Sequence, residues 1–236
     1  MPSAARLLLL ETSGRAGFVG VAEGPVLRGQ RRLDEARRHA RDLAPATAEL
    51  LAEQGWRPRD LAAVFVSRGP GSYTGLRVGV ASAQALAYAV GCAVLAVDTF
   101  DVLAMQAPSE ATSLAVLADA QQDRLYVQSF GALADGRRQP QSPLEVLSAE
   151  EFIARGTRTD WLTGPALHTF AARFGTDCRF VAAQHWDPTL AGLLAAGLPR
   201  WLAGERTDWR QLEPLYARLS EAERKWEERQ GGSKDP

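Results

Sequence analysis

Histidine, cysteine and lysine are all scarce in this chain. Its 236 residues hold three histidines, two cysteines and two lysines, Lys225 and Lys234. Cys92 and Cys178 are too few for a disulfide framework, and Cys92, in the apolar run "GCAVLAV", reads as a buried reduced thiol. His39, His168 and His185 include no pair four residues apart and no H-E-x-x-H. That leaves a zinc protease without ligands. Long hydrophobic runs are missing too. Nothing reaches the roughly 18–20 apolar residues of a membrane span. The N-terminal "RLLLLETS" is too short for a signal sequence and meets an acidic residue at once. A cytoplasmic chain that makes no membrane contact is expected. An excess of charge of one sign is also absent. With 27 Lys+Arg against 28 Asp+Glu the net charge is −1, which offers nucleic acid no broad basic surface.

What is present is an ordinary globular composition, 46% hydrophobic and 23% charged, in a chain long enough for two small lobes. The apolar run Arg6–Thr12 reads as a buried strand, followed by strands at Phe18–Ala22 and Val26–Leu33 with Gly14, Gly17, Gly24 and Pro25 in the turns. The spacing of Leu43, Ala46, Leu50 and Leu51 predicts a helix over Arg38–Gln54, stopped at Gly55. Strands at Leu61–Val66 and Ala93–Val97 enclose a second helix that runs to about Val90. The order β-β-β-α-β-α-β calls for a mixed sheet with helices packed on it. The second half repeats it weakly: strands at Ser113–Leu117, Leu125–Gly131 and Leu144–Leu147, helix Ala149–Arg155, strand Trp161–Thr163, helix Ala166–Phe174, strand Arg179–Val181 and a helix over Pro188–Ala203. Residues 1–101 are therefore expected to form one lobe and 102–226 a second, degenerate one whose closing helix packs back on the first. The tail 227–236 is expected to be disordered.

The most unusual stretch is "SRGPGSYTGLRVGVASAQALA", residues 67–87. A strand, a glycine-rich loop and a helix can cradle an anion on the helix N-terminus. Yet the loop is neither G-x-x-x-x-G-K-[ST] nor G-x-G-x-x-G, and it has no lysine. Gly69 and Gly71 supply a sharp turn, Pro70 stiffens it, and Ser72 or Thr74 caps the helix. Gly75, Gly79, Ala83 and Ala87 then recur every four residues and form a stripe of small side chains. Such a stripe admits a close neighbour, from the chain's own fold or from another subunit. The expected partner-facing residues are Tyr73, Gly75, Arg77, Gly79 and Ala83, with the first helix beside them.

"GPGSYTGLRVG" resembles the signature of the TsaB (YeaZ) family. "LLLLETS" resembles the family's first strand, "RRHARDLAP" its entry into the first helix, "DAQQDRLYVQSF" a strand of its second lobe and "EPLYARLSEAERKW" its closing segment. The likeness is strong over residues 6–101 and loose from there to 226. It implies an actin/hexokinase-like α/β fold of two lobes, each a mixed sheet flanked by helices. It also implies a non-catalytic subunit of the complex that installs threonylcarbamoyl on an adenosine beside the tRNA anticodon. The partners it implies are a catalytic TsaD-like subunit and a TsaE-like ATPase, with tRNA met only through the complex. Alone, the chain could form a homodimer.

An ATPase of this fold would need a phosphate hairpin in each lobe, an acid to hold metal and a glycine pair for adenosine. The first hairpin, "ETSGRAGFVG", offers Glu11, Thr12 and Ser13 as the candidate nucleotide-binding residues, with Glu where the fold usually has Asp. The second, "ADAQQDRLY", has no glycine, and "TGPALH" has a single Gly164 before Pro165. No cofactor, no metal and no catalytic residue is therefore expected of the isolated chain, with ATP and Mg²⁺ used by its partners. A weak nucleotide-dependent enzyme of the sugar-kinase type is the alternative. No G-x-S-x-G elbow supports a serine hydrolase, and Asp119 and Asp123 sit on an expected turn.

Overall fold

The structure is a computed structural model and describes residues 4–33, 41–155, 161–175 and 178–216. Two sheets organise it. The first is β1 (Arg6–Glu11), β2 (Phe18–Glu23), β3 (Val26–Arg32), β4 (Ala63–Gly69) and β5 (Ala93–Asp98), in the spatial order β3-β2-β1-β4-β5. β2 runs antiparallel to β1 and β3, whereas β1, β4 and β5 are mutually parallel. Burial on both faces explains why β1 reads as an unbroken apolar run. Leu8 and Leu10 point to α1 (Leu43–Glu53) and α2 (Tyr73–Val90), together with Val64, Val66, Val80 and Ala83. Leu7 and Leu9 point the other way, to α3 (Thr99–Met105) and α6 (Leu190–Leu202), together with Phe65, Leu95, Val102 and Leu193.

The second sheet is built on β6 (Leu114–Asp119). β7 (Arg124–Ala134) is antiparallel to it, β10 (Trp161–Thr163) is parallel, and β11 (Arg179–Phe180) lies beyond β10. β8 (Arg137–Pro140) and β9 (Glu145–Ser148) both pair with β7. α4 (Ala149–Ala154) and α5 (Leu167–Phe170) cover one face. The strand order and directions repeat those of the first sheet, as the sequence implied.

The junction differs from the expectation. A lobe boundary between residues 101 and 102 would fall inside α3, a helix that the sequence reading missed. Val102 of α3 belongs to the core of the first sheet, while Phe100, Leu103 and Ala104 belong to that of the second. Five of its seven residues are apolar and they face two different cores, so it shows no single amphipathic stripe, and it serves as a wall common to both lobes. α6 returns to the first sheet, where Gly197 lets it lie against the Phe65 ring: a Cβ there would stand 2.7 Å from it. The loop before α6 hangs on Gln106. Its Nε2 donates to the carbonyls of His185 (3.0 Å) and Asp187 (2.9 Å), and its Oε1 accepts from Thr189 N (2.8 Å) and Oγ1 (2.7 Å).

After α6 the chain crosses the outer edge of β5. Thr207 N donates to Val94 O (2.8 Å), and Gln84 on α2 donates to Trp209 O (2.9 Å) and Leu212 O (3.1 Å). Leu215 N then donates to Arg68 O (2.7 Å), and Tyr216 stacks on Tyr73 with ring centres 5.0 Å apart. The start of the expected first helix (residues 38–40, with His39) and the tail 227–236 lie outside the described residues.

A charged cluster lies beside α3. Asp101 stands 3.8 Å from Arg200 of α6, which also chelates Glu205, and Asp98 pairs with Arg68 at 2.5 Å. Desolvation raises the Asp101 carboxyl to about 6, assisted by the nearby Asp98 charge. The folded state thus binds the Asp101 proton more tightly than the unfolded chain does. The stability this confers is complete below about pH 4 and is lost as pH rises through about 6. Asp101→Asn should match the wild type at about pH 3 and exceed it by about 2–3 kcal/mol at pH 8, at roughly 1.4 kcal/mol per unit. Thermal unfolding across that range is the measurement. A gain that does not change with pH would contradict the assignment.

Candidate functional site: the glycine-rich loop and the helix it launches

β4 delivers the chain to Gly69, whose φ of +125° is open to glycine and hardly to any other residue. The Gly69–Pro70 bond is cis. Ser72 is the N-cap of α2, its Oγ accepting from Gly75 N at 3.2 Å. Thr74 does not serve as the cap. The loop lies directly on the end of the first strand: Ser72 N donates to Ser13 O at 2.8 Å.

The glycine spacing follows from that contact. A Cβ at Gly71 would come within 3.0 Å of Ser13 O, one at Gly75 within 3.0 Å of Thr12 O, and one at Gly79 within 3.0 Å of Thr12 Oγ1. At Gly69 the obstacle is Leu215 O, at 2.7 Å. Each glycine admits the chain's own backbone or hydroxyl. The expectation that Gly75, Gly79 and Ala83 face another subunit is therefore corrected. All three are buried, and their stripe packs on Thr12 and Val66 within the chain. The close neighbour was some sixty residues upstream.

The same contact closes the first hairpin. Glu11 and Thr12 are fully buried and Ser13 nearly so. Glu11 Oε1 accepts from Ser13 N (2.8 Å) and Ser13 Oγ (2.5 Å), and its Oε2 accepts from Ser67 Oγ on β4. Burial pushes the Glu11 carboxyl pKa up, and the serine hydrogen bonds pull against that shift. Thr12 Oγ1 has no hydrogen-bond partner among the described residues. Residues 11–13, expected as the nucleotide contacts, thus have no surface to offer a nucleotide here. In the second hairpin Gln121, Gln122 and Asp123 all take positive φ (66°, 55° and 58°), so three non-glycine residues make the left-handed turn. Gly164, at φ +113°, is needed because Leu117 O crowds it. His168 bonds Asp187 at 2.8 Å and stands edge-on to Trp186, while His185 offers its carbonyl to Gln106. These placements are structural.

What α2 leaves open is its outer face. Tyr73, Thr74, Arg77, Ala81, Ala85, Tyr88 and Ala89 are exposed, and Tyr88 is 80% accessible. Arg77 is the sole charged residue of the 18-residue helix, and its Nη1 donates to Tyr73 Oη at 2.8 Å across the ring. The face is otherwise small and uncharged, with an aromatic at each end: Tyr73 against Tyr216, and Tyr88 edge-on to Trp209. Of the residues expected at an interface, Tyr73 and Arg77 lie on it. The sequence reading missed Ala81, Ala85 and Tyr88, although their spacing of three and four residues follows Arg77 along one side of the helix.

Gly75→Ala and Gly79→Leu should each destabilise the isolated chain. Overpacking of this kind costs about 1–3 kcal/mol, and at roughly 2–4 °C per kcal/mol for a chain of this size the melting temperature falls by several degrees. Ala81→Leu, on the outer face of the same helix, should leave it within about a degree or two. A normal melting temperature for Gly75→Ala would overturn the intrachain packing.

Comparison with known proteins agrees with this architecture. The family model described as "TsaD: tRNA N6-adenosine threonylcarbamoyltransferase" matches residues 34–183, more than half of the chain. The Bacillus subtilis tRNA threonylcarbamoyladenosine biosynthesis protein TsaB is 29% identical over 198 residues, covering 81% of this chain and 85% of that protein. An uncharacterized Mycobacterium tuberculosis protein is 30% identical, covering 92% of this chain and 93% of its own length. Among solved structures, YeaZ from Pseudomonas aeruginosa superposes with a TM-score of 0.77 at 27% identity, covering 90% of this chain and 99% of that one. With the two repeated sheets, the glycine-rich loop sealed on the first strand and these relatives along nearly its whole length, the chain belongs to the TsaB (YeaZ) family.

Proposed function

We propose that this chain is a non-catalytic partner subunit of the complex that installs threonylcarbamoyl on the adenosine next to the tRNA anticodon, and that it supports a TsaD-like catalytic subunit. The observation that carries this reading is the closed first hairpin. The hairpin that an enzyme of this fold would keep open for phosphate is covered by the glycine-rich loop and α2, which pack on Thr12 and Ser13, and Glu11 is spent on Ser13 and Ser67. The sugar-kinase alternative is not favoured for the same reason. Relatives that bear the name of threonylcarbamoyladenosine biosynthesis proteins support the assignment.

The docking face in this reading is the exposed side of α2: Tyr73 and Arg77 with Ala81, Ala85 and Tyr88. Small side chains with two flanking aromatics let a partner helix approach while the aromatics supply area. Among the described residues no helix is long and apolar enough to cross a membrane, and in this reading the chain works in the cytoplasm. A net charge of −1 gives it little hold on tRNA, which it meets through the complex. A TsaE-like protein is the ATP- and Mg²⁺-using member, and this chain needs no cofactor of its own. Without its partner the same face could join two copies.

Ala85→Arg places a long cation in the middle of this face without touching the core. It should leave the melting temperature of the isolated chain unchanged and weaken binding to the TsaD-like protein of the same organism at least ten- to a hundredfold, the equivalent of about 1.4–2.8 kcal/mol. Threonylcarbamoyladenosine formation in the reconstituted complex should fall in parallel. Normal binding by a folded Ala85→Arg chain would refute the assigned face. Full modification without this chain would refute its role.

A further inference from the structure

A second concave site lies on the opposite side of the molecule from α2. It is a cavity of about 140 Å³ between α3, α6 and β8, lined by Asp101, Arg137, Arg138, Gln139, Ala196 and Arg200 among others. At roughly 30 Å³ per water, it has room for a few waters or one tetrahedral oxyanion.

Its arginines are not balanced. Arg138 is only 5% exposed and no carboxylate pairs with it among the described residues. It donates instead to the carbonyls of Ala111, Gly131 (3.0 Å) and Pro108 (2.6 Å), and its Nε has no partner. Arg137 beside it is half-buried and makes no side-chain hydrogen bond or ion pair among the described residues, with Glu205 acting on it only at longer range. Arg200 is fixed by Glu205 and approaches Asp101. With Arg68 and Asp98 at the rim, four guanidinium groups face three carboxylates. A buried cation without a counter-charge is costly unless an anion completes it, and planar guanidinium groups suit an oxyanion.

We propose that this cavity binds a small phosphate-type oxyanion, free or as the terminal group of a small phosphomonoester, held by Arg137, Arg138 and Arg200. Asp101 opposes the anion while ionised. Around it stand Asp98 at the end of β5, Arg68 on β4, Arg200 on α6, Glu205 after it, and Arg137 and Arg138 on β8. The Asp101 carboxyl titrates at about 6, so binding should strengthen as pH falls from 7.5 to 5.5.

The test is thermal unfolding and calorimetry of the full chain with millimolar inorganic phosphate, sulfate or a small phosphomonoester, against chloride at matched ionic strength. Phosphate should raise the melting temperature by a few degrees where chloride does not. Arg137→Gln, which breaks no contact, should weaken binding tenfold or more while the unliganded chain melts normally. Sulfate keeps its charge over the pH range and reads the contribution of Asp101: its affinity should rise severalfold at pH 5.5, and Asp101→Asn should abolish that dependence. A phosphomonoester that binds more tightly than phosphate would identify a terminal phosphate as the ligand, and equal affinity would identify the free ion. No stabilisation by any of the three anions, or stabilisation that survives in Arg137→Gln, would overturn the proposal.

Discussion

A buried carboxylate at the end of β1 sets the arrangement on which the loop and α2 depend. Among the described residues Glu11 has no cation beside it and is hydrogen-bonded only by Ser13 and Ser67. Taking an acid out of water is tolerable only when its oxygens are fully hydrogen-bonded. That requirement ties the end of β1 to β4 just before the glycine loop begins. The loop then has one place to go, down onto Thr12 and Ser13, and its glycines are the residues that let it arrive there.

From that contact the rest of the first lobe follows in order. Ser72 caps α2 at a fixed point, so the small stripe must face β1 and β4, and the exposed side, with Tyr73 and Tyr88, must face outward. On the far side of the same sheet, α3 and α6 complete the core. α3 serves both lobes, and the Gln106 side chain holds the start of α6 with all four of its hydrogen bonds made. The lobes therefore meet through a shared apolar wall and a satisfied amide. That junction resists relative rotation more than a polar linker would.

Much of this was legible in the sequence, and the exceptions have physical causes. β1, β4 and β5 announced themselves because burial on both faces gives uninterrupted apolar runs. The cap of α2, narrowed to Ser72 or Thr74, and the α6 span were also readable. α3 was not, because seven residues make only about two turns and its apolar residues face two different cores. β8 was hidden because "RRQP" is polar, and its place is set by pairing with β7 and by the carbonyls around Arg138. The small stripe was read correctly as a site of close approach, but spacing along one helix cannot say what approaches. The neighbour was Thr12, in an element far away in the chain. The long segment after α6 has no periodicity at all, and its path is fixed by single hydrogen bonds to Val94, Gln84 and Arg68.

That segment has a consequence for solubility. An unclosed sheet has two open rims, and an open rim is a template on which another chain can add a strand. On one rim Thr207 occupies the amide and carbonyl positions of β5 at Val94 and Ala96, so that edge is already spoken for. On the other rim β3 carries Arg28 and Arg31, held by Glu23 and Glu53, with charge standing where a flat apolar strand would invite stacking. The first lobe thus leaves the outer face of α2 exposed while neither rim of its sheet offers a flat apolar strand to aggregation.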